Sequence, residues 1–272
     1  MGEVPKALVI RTAGTNCEAE MCRAFESGGA TAELVHVDRL IAEPGRMAGF
    51  DLIGFPGGFS YGDDIASGRI LAMKLRERLW EPLRDAAARG VPMIGACNGF
   101  QVMVQVGLLP GPADGDWSKL ERPQRSVALA HNQGGRFIDR WVGVRPAAES
   151  PCIWTRPLLD LLGPAGREVL LLPIAHGEGR VVAESGAVID ALRERGQIAL
   201  TYTDNPNGST ADIAGICDVT GRIFGLMPHP ERYLEWTLHP YWTRLDAGLR
   251  RGSTPGALMF RAAVEAAVAA RV

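Results

Sequence analysis

Short apolar runs alternate with amphipathic segments through the first hundred residues of the chain. Strands are predicted at residues 7–10, 33–37, 52–55 and 92–95, and helices at 18–26, 68–89 and 100–106. Parallel strands joined by helical crossovers place helices on both faces of one sheet. We therefore expect an α/β fold of three α/β/α layers around a mostly parallel sheet.

The pattern changes after residue 126. Strands at 127–132 and 136–144 flank Gly134-Gly135 and predict an antiparallel hairpin at the sheet edge. Further strands are predicted at 169–175, 198–203, 213–218 and 223–227, and an alanine-rich helix at 257–270 is expected to cover the sheet. Residues 109–125 are rich in proline, glycine and charge and predict a surface excursion. Without repeats or a linker, residues 1–272 are expected to form a single domain.

Composition narrows the possible partners. The formal net charge is −2 and the charges are scattered, so neither nucleic acid nor a membrane surface is an expected partner. No apolar run approaches the ~20 residues that span a bilayer. Five cysteines without paired spacing predict reduced thiols, a cytoplasmic location and no metal clip. Four of them, Cys17, Cys22, Cys152 and Cys217, are expected to be packing residues, and no metal site is predicted.

Cys97 has the local sequence of a catalytic nucleophile. It lies in Gly95-Ala96-Cys97-Asn98-Gly99, between a predicted buried strand and a predicted helix. Small residues on both sides allow the sharp turn of a nucleophile elbow. The N–H groups at the start of the helix would stabilise a thiolate. The competing interpretation is a small cysteine packed under a strand–helix turn.

A base and an oxyanion hole can be assigned to two other segments. Met227-Pro228-His229-Pro230-Glu231 follows a predicted strand, and extended backbone would place His229 and Glu231 on the same side. The carboxylate could then orient the imidazole. Backbone N–H groups of the Gly57-Gly58 turn and of Asn98 could hold an oxyanion. Taken alone, the histidine could equally be an ordinary turn residue with a solvated carboxylate nearby.

These motifs together resemble those of class I (triad) glutamine amidotransferases. The chain is most similar to the glutaminase subunits of phosphoribosylformylglycinamidine synthase. The resemblance rests on motifs spread along the chain: Gly14-Thr15-Asn16-Cys17-Glu18, Pro56 to Asp64, Cys97 to Gln101, Asn132 to Trp141, Pro173 to Gly179, and Met227 to Glu231. It implies a flavodoxin-like class I glutamine amidotransferase fold with an antiparallel edge extension. Residues 109–125 and 150–167 look longer than the family pattern and are expected to be surface insertions.

The resemblance also implies the chemistry and the site. Glutamine would be hydrolysed through a thioester on the nucleophile, and the ammonia would pass to a synthetase that makes phosphoribosylformylglycinamidine in de novo purine biosynthesis. No cofactor is expected in this chain; ATP and Mg would bind the large synthetase subunit, and a small third subunit is allowed for. By this resemblance, Cys97 is the nucleophile, His229 is the base and Glu231 is the carboxylate that orients it. The oxyanion hole is formed by Gly58 and Asn98, and glutamine is contacted by Gly57, Phe59, Gln101 and Asn132.

His176 is the remaining candidate. It is interpreted as lining an ammonia exit or subunit interface, or else as capping its strand. Two alternative functions stay open at this point. One is a glutaminase for another acceptor. The other is a cysteine peptidase or chaperone-like protein of the same fold, which Asn98 disfavours because a histidine commonly follows the nucleophile there. A redox-sensing module would leave Glu231 without a role.

Overall fold

A nine-stranded sheet forms the centre of the protein in this computed structural model, which describes residues 3–121, 125–163 and 166–271. The strands are β1 Lys6–Arg11, β2 Thr31–His36, β3 Leu52–Phe55, β4 Met93–Ala96, β5 Val127–His131, β6 Ile138–Pro146, β7 Leu171–His176, β8 Glu178–Ala183, β9 Ile198–Tyr202, β10 Ile213–Cys217 and β11 Ile223–Leu226. The order across the large sheet is β2-β1-β3-β4-β11-β10-β9-β6-β7. β5 and β8 pair separately as a two-stranded antiparallel sheet.

The large sheet has a parallel half and an antiparallel half. The strands from β2 across to β11 pair in parallel, and those from β11 across to β7 pair antiparallel. β3 and β4 are buried along their whole length, as expected for central strands covered on both faces. The predicted α/β fold with an antiparallel edge extension is confirmed.

Helices cover both faces of the sheet. They are α1 Glu18–Ser27, α2 Val37–Ala42, α3 Arg69–Arg78, α4 Trp80–Ala88, α5 Asn98–Val106, α6 Gly166–Val169, α7 Gly186–Glu194 and α8 Pro255–Ala269. One apolar core contains residues of α1 and α8, and the other contains residues of α3, α4 and α5. The two cores make the three layers. Within the described residues, no helix has the length and apolar character needed to cross a membrane.

The helix predicted at 68–89 is two helices. α3 ends at Arg78, Leu79 leaves the helical region with φ −134° and ψ 11°, and α4 begins at Trp80. Pro82 explains the break, since proline lacks an N–H and its ring clashes with the carbonyl four residues earlier, that of Arg78. A continuous helix through this point was therefore the wrong prediction.

The predicted hairpin around Gly134-Gly135 is also wrong. β5 pairs with β8, whereas β6 pairs with β7 and β9. The Asn132 side chain explains the difference, because it fastens the end of β5 to the turn between β7 and β8. That turn belongs to a distant part of the sequence.

Two stretches expected at the surface contribute to the cores. Trp117, within 109–125, is buried in a short 3-10 turn. Trp154, within 150–167, is buried with its ring edge-on to Phe25 and Phe260. Residues 122–124 and 164–165 of these stretches lie outside the described residues. The prediction that both stretches lie at the surface is therefore wrong for Trp117 and Trp154.

Candidate active site

Cys97 lies at the turn from β4 into α5 in a strained backbone conformation. Its φ of 51° and ψ of −109° are uncommon for a residue with a side chain. The Cys97 N–H donates to the Leu226 carbonyl at 2.8 Å, which extends the β4–β11 ladder by one residue. The residue is 5% exposed, and its Sγ lies 3.7 Å from the Ala175 carbonyl oxygen. This geometry is that of a nucleophile elbow.

Glycine is required where α5 packs against the sheet. A Cβ on Gly99 would lie 1.8 Å from the Phe55 carbonyl oxygen, and one on Gly225 would lie 2.1 Å from the Phe100 ring. Both distances are far below van der Waals contact. The first turn of α5 can therefore approach β3 and β11 only because these two residues have no side chain.

His229 and Glu231 form a buried pair. The imidazole Nδ1 lies 2.6 Å from Oε1 of Glu231, and the residues are 2% and 1% exposed. The His229 N–H donates to the Pro173 carbonyl at 2.9 Å, which ties this segment to β7. The pair was expected on extended backbone, but Glu231 lies in a 3-10 turn, Pro230–Arg232. The turn brings the carboxylate back to the ring.

The electrostatics of the pair favour a charged imidazole. Burial acts to lower the pKa of His229, but the negative charges of Glu231 and of the Cys97 thiolate outweigh it, and the pKa stands well above its ordinary value. The side chains of Cys17 and Cys97 also act to raise the pKa of His229. Because Glu231 holds Nδ1, the other ring nitrogen, Nε2, is left to exchange protons.

The loop after β3 is held by the loop after β1. Phe59 N–H donates to the Gly14 carbonyl at 2.8 Å, and a Cβ on Gly58, whose φ is +139°, would lie 2.7 Å from the same oxygen. In the described part of the chain, the N–H groups of Gly58 and Asn98 donate to no backbone carbonyl. Both are therefore free to bind an oxyanion.

Gln101 and the Asn98 side chain belong to one buried polar network. Asn98 Nδ2 donates to Gln101 Oε1 at 2.9 Å, and its Oδ1 accepts from Ser60 N–H at 3.3 Å. Gln101 Nε2 donates to the Glu178 carbonyl. The network connects the β3 loop, the elbow helix and β8.

Asn132 uses its side chain inside the protein. Its Oδ1 accepts from His176 Nδ1 at 3.0 Å and from Gly179 N–H at 3.1 Å. Its Nδ2 donates to the carbonyls of Arg136 and His176 at 2.9 and 2.8 Å. The residue clamps the β7–β8 turn, which directly follows the end of β7 where the Ala175 carbonyl faces Cys97 Sγ.

His176 is buried and electrically neutral. Burial, and then the positive charge of nearby His229, lower the pKa of His176 to about 4. Because Nδ1–H is donated to Asn132, Nε2 carries a lone pair, and within the described residues this atom has no hydrogen-bond partner.

The predicted glutamine contacts Gly57 and Phe59 lie on either side of the oxyanion loop. A Cβ on Gly57 would lie 2.6 Å from Cε1 of His229, so this glycine packs against the imidazole. Phe59 is 44% exposed and stacks on the exposed Phe137 with ring centroids 6.4 Å apart. Phe59 therefore stands at the surface, packed against Phe137.

Cys17 is the residue whose position the sequence prediction missed. It was assigned to packing, but its Sγ and the ligand atoms of His229 and Glu231 all lie within 4.8 Å of one another. The run Gly14-Thr15-Asn16-Cys17 singles out this loop in the sequence, but nothing in the run shows that its thiol reaches the base.

Known proteins of one family resemble the chain over nearly its whole length. Residues 4–265 match the family model described as a CobB/CobQ-like glutamine amidotransferase domain. The phosphoribosylformylglycinamidine synthase subunit PurQ of Dehalococcoides mccartyi is 41% identical over 243 residues, covering 87% of this chain and 89% of the relative. The PurQ subunit of Methanococcus maripaludis is 40% identical over 262 residues, covering 92% and 90%.

Solved structures show the same similarity. A chain in the structure of PurLQS from Thermotoga maritima is 29% identical with a TM-score of 0.69, covering 97% of this chain and 99% of that one. Another glutamine amidotransferase from Thermotoga maritima is 14% identical with a TM-score of 0.52, covering 98% and 99%. The second similarity is one of fold alone.

Proposed function

Since this chain belongs to the CobB/CobQ-like glutamine amidotransferase family, we propose that it is the glutaminase subunit of phosphoribosylformylglycinamidine synthase. It hydrolyses L-glutamine and delivers the ammonia to a large synthetase subunit, which holds ATP and Mg, with a small third subunit completing the assembly. The observation that carries the proposal is the placement of the strained Cys97 elbow and the His229–Glu231 pair on neighbouring strands, β4 and β11.

The reaction begins at the sulfur. The Cys97 thiolate attacks the side-chain amide carbon of glutamine, and the N–H groups of Gly58 and Asn98 bind the oxyanion that forms. The raised pKa of His229 keeps the ring protonated beside the thiolate. The ring then gives its Nε2 proton to the leaving nitrogen, and ammonia departs from a γ-glutamyl thioester.

The second half of the reaction uses the same base. Neutral His229 takes a proton from water, and the hydroxide attacks the thioester carbon. The new carboxylic acid of glutamate leaves and releases its proton to solvent, which restores the Cys97 thiolate beside the protonated ring. Glu231 holds Nδ1 throughout, so the ring keeps one orientation through both proton transfers. Gly57 and Phe59 border the substrate, and Gln101 shapes the pocket through the Asn98 network.

The test is to separate glutamine use from ammonia use. A Cys97→Ser chain reconstituted with its synthetase subunit should lose synthesis with glutamine and retain synthesis with ammonium salts. Cys152→Ala, a buried thiol in the opposite core, is the matched control and should keep both. Loss of both activities in Cys97→Ser would contradict the proposal. Activity of the wild-type chain with a guanylate or anthranilate synthetase instead would refute the assigned acceptor.

A further inference from the structure

We propose that Cys17, His229 and Glu231 form a zinc site whose occupation inhibits the glutaminase. The three side chains are buried together, and their ligand atoms lie within 4.8 Å of one another. Thiolate, imidazole and carboxylate are the donors that zinc binds in proteins, at about 2.0–2.3 Å. Ligand atoms around such an ion stand roughly 3–4 Å apart, so small side-chain rotations bring all three into range. The sequence offered no sign of this site, because its ligands come from remote segments.

The Glu231 carboxylate supplies a second observation for this site. Its Oε1 binds His229 Nδ1, but Oε2 is buried and, among the described residues, has no hydrogen-bond partner. An unpaired carboxylate oxygen in the interior is costly. A cation beside it would remove that cost.

Gly57 packs against two of the three ligands. A Cβ on Gly57 would lie 2.6 Å from Cε1 of His229 and 3.4 Å from Cys17 Sγ, so the imidazole and the thiol both lie next to this glycine. Cys17 is fixed beside His229, because its N–H donates to the Gly57 carbonyl at 3.3 Å and its thiol donates to Asn16 Oδ1 at 3.2 Å. The thiol therefore lies close to the base.

Zinc bound here would stop proton transfer; this consequence rests on the proposed function, in which His229 is the base. The ion takes the Nδ1 lone pair in place of a proton, and the Cys17 thiol loses its proton to solvent as the Zn–S bond forms. The ring is then left with its proton on Nε2 and cannot accept another from water. Binding and inhibition should both strengthen as the pH rises.

The experiment measures zinc binding directly, with the full chain and a competing chromogenic chelator. The variants are Cys17→Ala, Cys17→Ser and Cys97→Ser, with Cys22→Ala, in the helix α1 that directly follows Cys17, as the control thiol. Each variant is checked for native folding by circular dichroism. Loss of a metal ligand should weaken binding by at least about tenfold. We expect that loss in both Cys17 variants and wild-type affinity in Cys97→Ser and Cys22→Ala. If Cys17→Ala does not fold, Cys17→Ser decides.

Two results would overturn the proposal. One is wild-type zinc affinity in the folded Cys17 variants, and the other is loss of binding in Cys97→Ser, which would place the metal on the nucleophile. With the reconstituted synthase, Cys17→Ser should also need at least about tenfold more zinc for half-inhibition of glutamine use, with reversal by a chelator. Because binding is scored in a variant without the nucleophile, failure of the zinc site and failure of the proposed function are separate outcomes.

Discussion

Replacing Gly99 with alanine should destabilise the protein and disable the nucleophile together. The added Cβ would lie 1.8 Å from the Phe55 carbonyl oxygen and 2.6 Å from its carbon. Both are backbone atoms of a buried central strand and cannot rotate away. The first turn of α5 must therefore move away from β3.

The size of the effect follows from that distance. The gap must open by more than 1 Å, from 1.8 Å to at least the 3.0 Å below which real Cβ contacts are essentially never found. Overpacking of this kind costs about 1–3 kcal/mol, and a rigid backbone obstacle favours the upper end. The same shift displaces the Asn98 N–H from the oxyanion, and a misplacement of about 1 Å costs on the order of 100-fold in rate.

Two measurements check this prediction: urea unfolding of the chain, and glutamine-dependent turnover of the reconstituted synthase. Gly186→Ala is the matched control, because Gly186 also lies in the first turn of a helix and a Cβ there would meet nothing within 4 Å. It should keep wild-type turnover. Wild-type stability and turnover in Gly99→Ala would refute the argument that α5 needs a glycine at this contact.

Three further changes probe the base and its surroundings. Gly57→Ala places a methyl group 2.6 Å from Cε1 of His229 and should lower glutamine-dependent turnover by about 100-fold. Gly45→Ala is the control and should keep wild-type turnover, because a Cβ on Gly45 would meet nothing within 4 Å. Equal turnover in the two variants would contradict the prediction. Burial acts to lower the pKa of His229, but the charge of Glu231 raises it well above its ordinary value. The His229–Glu231 pair therefore stabilises the folded protein fully below about pH 6.5, and this stabilisation is lost as the pH rises through the raised pKa. Thermal unfolding of Glu231→Gln should lack that alkaline decline, and an unchanged decline would contradict the assignment. Burial lowers the pKa of His176 to about 4, so the free energy of unfolding should fall by about 3 kcal/mol as the pH drops from 6.5 towards 4. In urea unfolding, His176→Asn should lose this part of the acid sensitivity. An identical dependence on acid pH in the variant and the wild type would refute the prediction.

The sequence was informative where the signal is local. The elbow around Cys97 and the His229-x-Glu231 segment each combine a strand end with a turn-forming residue, and the structure places both at the carboxyl ends of neighbouring strands. The helix break at Leu79 had a local signal too, in Pro82. The prediction of one helix over 68–89 did not take that proline into account.

The errors occurred where the structure depends on distant contacts. The Gly134-Gly135 turn has hairpin composition, but three of the four hydrogen bonds of the Asn132 side chain join the end of β5 to His176 and Gly179, more than forty residues further along. The burial of Trp154 depends on α1 and α8, which come from the two ends of the chain. Cys17 meets His229 only after the sheet has formed. No window of sequence contains these pairs.

The register between β4 and β11 has a consequence for how such chains can vary. Ala96 pairs with Leu226, and the nucleophile and the base follow these partners by one and three residues. The distance between Cys97 and His229 is thus set by the pairing of β4 with β11, and not by the length of the polypeptide that joins them. Loops between α5 and β11 can lengthen or shorten without changing that distance. On the proposed mechanism, the spacing between the nucleophile and the base is therefore independent of the lengths of those loops.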